Sequence, residues 1–336
     1  MDRDDADRRV LLTGCCGYIG TWTALALLRA GWRVRGTSVE PDYARARFDT
    51  LFATEPDGPA LATRFEVVPA DLLEPSTWAG LAKGCSAVVH TACPVMTGGD
   101  VRPEDVIGPA VSGTEAVVRE AARAGAVRRF VHLSSVVTLT DHHRRRGVPG
   151  PERLGPGSWN ETASVETDPY AVGKVEGERL ARRLVGELMP EATFASVVPG
   201  VVIGPPPEGR RLPASIHKTM TPFVSGQLRW GAVDLDVPLV DVRDVADLIV
   251  GVADADPAWL AGLGSAARFI CVTPPTAQLL HIADAVRARR PAFAARMPRR
   301  LLPLPRPLLL LAVRLTESRE AWSYTRGMLG RRLEYD

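Results

Sequence analysis

Short apolar runs alternate with amphipathic stretches through the first two hundred residues, and this alternation constrains the fold more than any other feature of the chain. Residues 10–13, 33–37, 65–69, 87–91, 130–134 and 194–198 are each apolar and bounded by glycine, proline or small polar residues, as buried strands are. Between them, residues 19–30, 75–82, 104–124 and 170–188 carry helical spacing. Strands that alternate with helices build a parallel sheet covered on both faces. The expected class is therefore α/β, with a doubly wound parallel sheet. After Pro199 the pattern changes. Residues 204–209 are proline-rich, and regular elements return only as strands at 235–240 and 269–272 with helices at 242–253 and 277–289. Two units are expected: a large domain from residues 1–200 plus 235–272, and a smaller, discontinuous C-terminal lobe from 201–234 plus 273–336. The stretch 141–168 is long for a connection and rich in Arg, Gly and Pro, so it is read as a loop over the site.

Composition closes off several functions. The 336 residues, 46% of them hydrophobic, suffice for one large core with an appendage. With 41 basic against 39 acidic residues the net charge is +2, which gives no electrostatic case for nucleic acid or an anionic membrane. The five cysteines include no C-x-x-C, and Cys15 and Cys16 are adjacent, so free thiols in a reducing cytoplasm are expected. The charged N-terminus lacks the apolar core of a secretory signal. Residues 301–315 are the most apolar stretch. Pro303, Pro305, Arg306, Pro307 and Arg314 interrupt it, and it is too short for a transmembrane segment. A helix over a substrate pocket or subunit contact is the expectation there. No cluster has metal-ligand spacing, so no metal is expected.

The first strand runs into Thr13-Gly14-Cys15-Cys16-Gly17-Tyr18-Ile19-Gly20, which opens the first helix. Glycines permit a tight turn and a close backbone approach, and a helix N-terminus presents N–H groups and a positive dipole to an anion. At the first strand–helix junction this pattern points to the pyrophosphate of a dinucleotide, although the spacing is wider than G-x-G-x-x-G. Asp71, after the third strand, suits either the adenine edge or a turn cap before Pro75.

The second anchor is Tyr170-Ala-Val-Gly-Lys174. Residues four apart share a helix face. An ammonium beside a phenol favours phenolate and makes the tyrosine a usable general acid. Lysine is scarce here, occurring only at 83, 174 and 218, so Lys174 carries weight. Asp168-Pro169 is a good helix start. Ser134-Ser135 ends the fifth strand, on the sheet edge where ligands bind, and Ser135 is the preferred hydroxyl for polarising a carbonyl.

Together these residues resemble the extended short-chain dehydrogenase/reductases, especially the branch of dihydroflavonol reductases, cinnamoyl-CoA reductases and related ketoreductases. The resemblance spans roughly residues 9–290. Besides the two anchors it rests on Asp71-Leu72, His90-Thr91-Ala92-Cys93-Pro94, Arg128 through Ser135, Pro199 through Pro205, and Val240 through Ala246. It implies a Rossmann sheet and a catalytic set in which Ser135 polarises the carbonyl, Tyr170 donates the proton, and Lys174 lowers the tyrosine pKa and holds ribose. Thr91 and Ala92 would line the cofactor cleft beside Leu72, with Pro199, Val201 and Val202 near the nicotinamide. The branch's arginine for a 2′-phosphate is replaced by Val39, leaving Ser38 and Arg45, or Arg47, to serve. NADP(H) is favoured and NAD(H) remains open. The resemblance implies reduction of a carbonyl on a small molecule, or the reverse oxidation, and allows a homodimer. The alternatives are a nucleotide-sugar epimerase and a non-catalytic dinucleotide sensor. Val136-Val137 after Ser135 argues against dehydratase chemistry, which places acidic residues there. His90 reads as a strand-end residue, and His142, His143 and Arg144 to Arg146 as a solvated loop. Arg210, Arg211, His217 and Lys218 fall in the substrate lobe.

Overall fold

The computed structural model describes residues 8–93, 102–140, 152–166, 168–207, 221, 225–316 and 319–336. Its strands are β1 (Arg9–Thr13), β2 (Arg33–Ser38), β3 (Phe65–Pro69), β4 (Ala87–His90), β5 (Arg129–Leu133), β6 (Glu152–Leu154), β7 (Thr193–Pro199), β8 (Val201–Ile203), β9 (Asp236–Val237), β10 (Leu239–Asp241), β11 (Arg268–Cys271), β12 (Ala277–Gln278) and β13 (Leu333–Tyr335). Seven of them form one sheet in the order β11-β7-β5-β4-β1-β2-β3. Every pairing in it is parallel. The carboxyl ends of all seven strands therefore share one edge, where the candidate residues at 13–20 and 134–135 fall.

The sheet is covered on both faces because its strands alternate within an apolar run. On β1, Val10 and Leu12 pack with Leu27, Phe48 and Ile249 on one side. Leu11 points the other way, into a core with Val88, Val117, Phe130 and Leu184. The first face is roofed by α1 (Tyr18–Arg29), α2 (Pro41–Thr54) and the helix Val242–Asp254. The second is roofed by α4 (Pro103–Ala124) and α5 (Pro169–Leu188), following a short α3 (Gly58–Ala62) earlier in the chain. Phe130 is fully buried, and truncating such a ring to alanine costs about 3–5 kcal/mol.

Four sequence expectations change. The helix expected over 75–82 is a single 3-10 turn, Pro75–Trp78, because Gly80 adopts φ +81° and turns the chain away. The span 38–64, left without elements, holds α2, whose Ala44, Phe48, Leu51 and Phe52 form a buried stripe; Phe48 and Phe65 lie 4.0 Å apart. The strand expected at 235–240 is split at Pro238 into β9 and β10, which pair with different partners, β12 and β8. Within the loop expected at 141–168, residues 152–154 form β6, parallel to β13. Its partner comes from the far end of the chain, so no local pattern announces it. Residues 142–146, 210, 211, 217 and 218 lie outside the described residues. In the apolar stretch near the C-terminus, the helix Arg306–Thr316 buries Leu309 but exposes Leu308, Leu311 and Leu315. Among the described residues no helix is long and apolar enough to cross a membrane.

Candidate active site

The glycine turn after β1 is shaped by backbone contacts. Gly14 takes φ +68°, a region that disfavours side chains, and a Cβ there would lie 3.0 Å from the Cα of Ala92. At Gly20 a Cβ would lie 2.2 Å from the Gly14 carbonyl oxygen. Gly17 donates to that oxygen at 2.9 Å, while Gly14 and Cys15 donate to Thr37 Oγ1 and O, which ties the turn to β2. Gly17 is the N-cap of α1 and makes no side-chain cap bond, and the first turn, beginning at Tyr18 and Ile19, carries no acid. The first N–H groups of α1 and its dipole are thus suited to an anion.

A directed hydrogen-bond chain fixes the opposite wall. Thr114 Oγ1 donates to Ala110 O at 2.6 Å, so it accepts from His90 Nε2 at 3.0 Å. His90 Nδ1 then accepts from Thr13 Oγ1 at 2.8 Å, and Thr13 Oγ1 accepts from Ala92 N at 3.0 Å. Thr91 Oγ1 donates to Thr13 O at 2.6 Å. The chain needs a neutral imidazole, and burial holds His90 well below its usual pKa, with the nearby His132 and Lys174 pushing the same way. His90 thus positions Ala92 against Gly14 and stays out of the cleft.

The remaining residues expected at the cofactor end follow β2, β3 and β7. Ser38 Oγ accepts from the Glu40 N–H at 3.1 Å. Arg45 pairs with Asp42 at 2.9 Å on the surface. Arg47 instead reaches back to the glycine turn, 3.4 Å from Cys16 O. Asp71 closes its own turn, accepting from Leu73 N at 2.8 Å, and Leu72 packs where a Cβ on Gly113 of α4 would stand. Beyond Pro199 the chain leaves the sheet, and Val201 and Val202 pair with Leu239 and Val240 of β10.

Ser135, Tyr170 and Lys174 converge at the end of β5. Asp168 caps α5 by accepting from Ala171 N at 2.9 Å, with Pro169 opening the helix, and this fixes where Tyr170 stands. The Ser135 hydroxyl is hydrogen-bonded to the Tyr170 phenol. Lys174, one turn on and only 7% exposed, donates to Leu133 O at 3.0 Å and bonds the Cys93 thiol. Burial raises the Tyr170 pKa; Lys174 and the Ser135 bond oppose that rise without cancelling it. Lys174 sequence reasoning expected to lower the phenol overall, and the correction is that burial outweighs it. Burial opposes the Lys174 charge too, but Cys93, Tyr170 and Glu178 outweigh it and raise its pKa. The cluster therefore holds a protonated phenol against a fixed cation.

Sequence reasoning missed the polar group beneath this cluster. Glu178, one further turn along α5, and Arg268 on β11 form an ion pair at 2.7 Å with both side chains fully buried. Breaking such a pair by removing one partner costs about 3–5 kcal/mol. The spacing of Glu178 from Lys174 puts it on the same helix face, but its partner lies ninety residues away. His132, beside Lys174, was also missed. Burial lowers its pKa to about 3, with Lys174 and Arg182 adding to the shift.

Comparison with known proteins gives a consistent picture. The profile of the NAD dependent epimerase/dehydratase family matches residues 10–259. A dihydroflavonol 4-reductase from Zea mays is 27% identical over 264 residues, covering 78% of this chain and 69% of the maize protein. A cinnamoyl-CoA reductase 2 from Medicago truncatula is 29% identical over 243 residues, covering 71% of this chain and 66% of the other. The alignments span between 56% and 69% of the lengths of the first three dihydroflavonol 4-reductases matched. The yeast methylglyoxal/isovaleraldehyde reductase Gre2, solved with NADPH, superposes with a TM-score of 0.70 at 19% identity over 86% of this chain and 85% of its own, which establishes the shared fold.

Proposed function

The chain belongs to the NAD dependent epimerase/dehydratase family, and from that premise we propose that it is an oxidoreductase that reduces a ketone or aldehyde on a small organic molecule with NAD(P)H. The observation that carries this reading is the meeting of Ser135, Tyr170 and Lys174 at one strand end. A carbonyl oxygen placed between the Ser135 and Tyr170 hydroxyls would accept from both, and developing negative charge would be stabilised there. Tyr170 would then hand its proton to the nascent alkoxide. Its raised pKa keeps that proton in place at neutral pH, and the Lys174 charge lowers the cost of passing through phenolate. The relatives matched include reductases by name, which agrees with this direction of chemistry.

The residues fit a dinucleotide. Gly14 packs on Ala92 and Gly20 on the Gly14 carbonyl so closely that a Cβ at either would displace the turn, and the start of α1 carries no side-chain cap. When bound, the nicotinamide supplies the hydride from C4. Thr13, Gly14, Cys16, Gly17 and the start of α1 would hold the pyrophosphate, Lys174 the ribose, and Thr91, Ala92, Pro199, Val201 and Val202 the nicotinamide half. NADP(H) is favoured because Arg47 puts a guanidinium at the glycine turn while Arg45 is engaged by Asp42. Residues 201–234 and 273–336 would shape the substrate pocket, with the rest of the sheet domain holding the cofactor.

The test follows nicotinamide absorbance with NADPH and NADH against aldehydes, aryl ketones, keto-steroids and quinones. Turnover by the wild type, reduced by roughly 100–10,000-fold in Tyr170→Phe with dinucleotide affinity unchanged, is the expected result. Tight dinucleotide binding without turnover on any carbonyl would sink the reductase reading, and absence of binding would sink the dinucleotide reading as well.

A further inference from the structure

We propose that the buried Glu178–Arg268 ion pair is a positioning device that sets the place of the Ser135 hydroxyl, so that the last strand of the sheet controls the geometry of the proton relay. The role assigned to Ser135 rests on the carbonyl-reductase reading. The pair itself rests on geometry alone.

Arg268 uses all five of its N–H groups. Nε donates to Glu178 Oε1 at 2.7 Å, and Nη2 donates to Glu178 Oε2 at 3.2 Å and to Thr138 Oγ1 at 2.9 Å. Nη1 donates to Pro156 O at 2.9 Å and to Ser158 O at 2.5 Å. The guanidinium also lies 3.8 Å from the centroid of the Trp159 ring. Five donors meeting five acceptors in a fixed plane is a task for arginine, which lysine's point charge could not perform.

The acceptors are not scattered. Ser134, immediately before Ser135, donates to Glu178 Oε2 at 2.5 Å. Thr138, three residues after it, passes its own proton to Ser135 O at 2.8 Å while accepting from Arg268. The segment held through Pro156 and Ser158 leads into Asn160, whose Nδ2 donates to Val137 O at 3.0 Å and whose N–H donates to Thr138 O at 2.7 Å. The pair therefore grips the turn carrying Ser135 from before, from after and from above. Glu178 lies on the same helix as Tyr170 and Lys174, so both halves of the relay are referred to one rigid carboxylate.

A buried pair is a poor choice if cohesion alone is needed, since apolar residues of similar volume hold elements together as well or better. What it adds is direction: each bond fixes an angle as well as a distance. Small misplacements of a reacting group cost rate steeply, on the order of a hundredfold for about 1 Å.

The experiment uses the full chain with Glu178→Gln and Arg268→Met combined, which removes both charges at similar volume, and separately Thr138→Val, which leaves the ion pair in place and removes the hydroxyl through which Arg268 reaches the Ser135 carbonyl. Tm, NADPH Kd by fluorescence, kcat and KM are measured. A purely structural pair would leave kcat intact once Tm recovers in the uncharged double variant. Positioning predicts a Tm and an NADPH Kd close to wild type with kcat down about 10–100-fold, and a fall of about tenfold in Thr138→Val, carbonyl KM changing less than kcat in both. Wild-type kcat in the double variant and in Thr138→Val would overturn the proposal. A crystal structure of Thr138→Val or of the double variant decides it independently of turnover: Ser135 displaced from the Tyr170 phenol supports it, and Ser135 still bonded there overturns it. A wild-type protein that reduces no carbonyl would overturn the reductase reading alone.

Discussion

The two ends of the candidate site are built by opposite means. At the glycine turn the geometry comes from missing side chains: Gly14, Gly17 and Gly20 let backbone pack on backbone, and the helix start bears no cap. At the proposed relay end it comes from buried side chains, with Ser134 and Arg268 donating to Glu178 and Arg268 also donating to Thr138, beside Ser135, Tyr170 and Lys174. The first end is specified over eight consecutive residues. The second draws on residues from 134 to 268. A change at the turn should therefore act by steric exclusion and affect binding, whereas a change at the relay should act by loss of direction or of desolvated charge and affect rate or stability.

The sharpest way to break this contrast is Gly20→Ala. Its Cβ would stand 2.2 Å from the Gly14 carbonyl oxygen, which must move. Dinucleotide affinity measured by fluorescence titration should fall roughly a hundredfold, about 3 kcal/mol. An unchanged Kd would show that the turn tolerates side chains after all. Arg47→Ala sharpens the boundary of the turn. Losing a charged contact to a 2′-phosphate should weaken NADPH about tenfold and leave NADH within a factor of about two, while Arg45→Ala changes neither. Equal losses for both dinucleotides, or a larger effect at Arg45, would refute the assignment. The smallest effect concerns the burial of the relay end. His132 is neutral in the fold, with its pKa lowered to about 3, and neither ring nitrogen has a partner among the described residues. Between about pH 6.5 and pH 3 the unfolded chain binds a proton that the folded chain refuses, so stability rises with pH and is lost on acidification, by about 1.4 kcal/mol per pH unit for this group. His132→Phe should match wild type in urea unfolding at pH 7 and lose less stability at pH 5.5. Identical pH slopes would mean that His132 accepts a proton in the fold.

The contrast also explains what could be read beforehand. Six strand positions, the glycine turn and the Y-x-x-x-K helix are local patterns, each contained in a short stretch of chain; the strands all enter one parallel sheet, and the turn follows the carboxyl end of β1. Helix α2 was legible too: Ala44, Phe48, Leu51 and Phe52 have helical spacing, and only the polar residues around them obscured it. Strand β6 was not legible, because its three residues acquire strand geometry from Leu333–Tyr335 at the other end of the chain. Glu178 and Arg268 were hidden for the same reason. Each is an ordinary charged residue until the partner is known.

The sequence by itself determined the doubly wound sheet and where its glycine turn falls, because alternation of burial and the sterics of glycine act between near neighbours. Only the tertiary structure decided which arginine meets that turn, that burial raises the Tyr170 phenol despite Lys174, and that Arg268 reaches Thr138 in the turn after Ser135. Those outcomes depend on desolvation and on bond directions between distant segments, which exist only once the chain has folded.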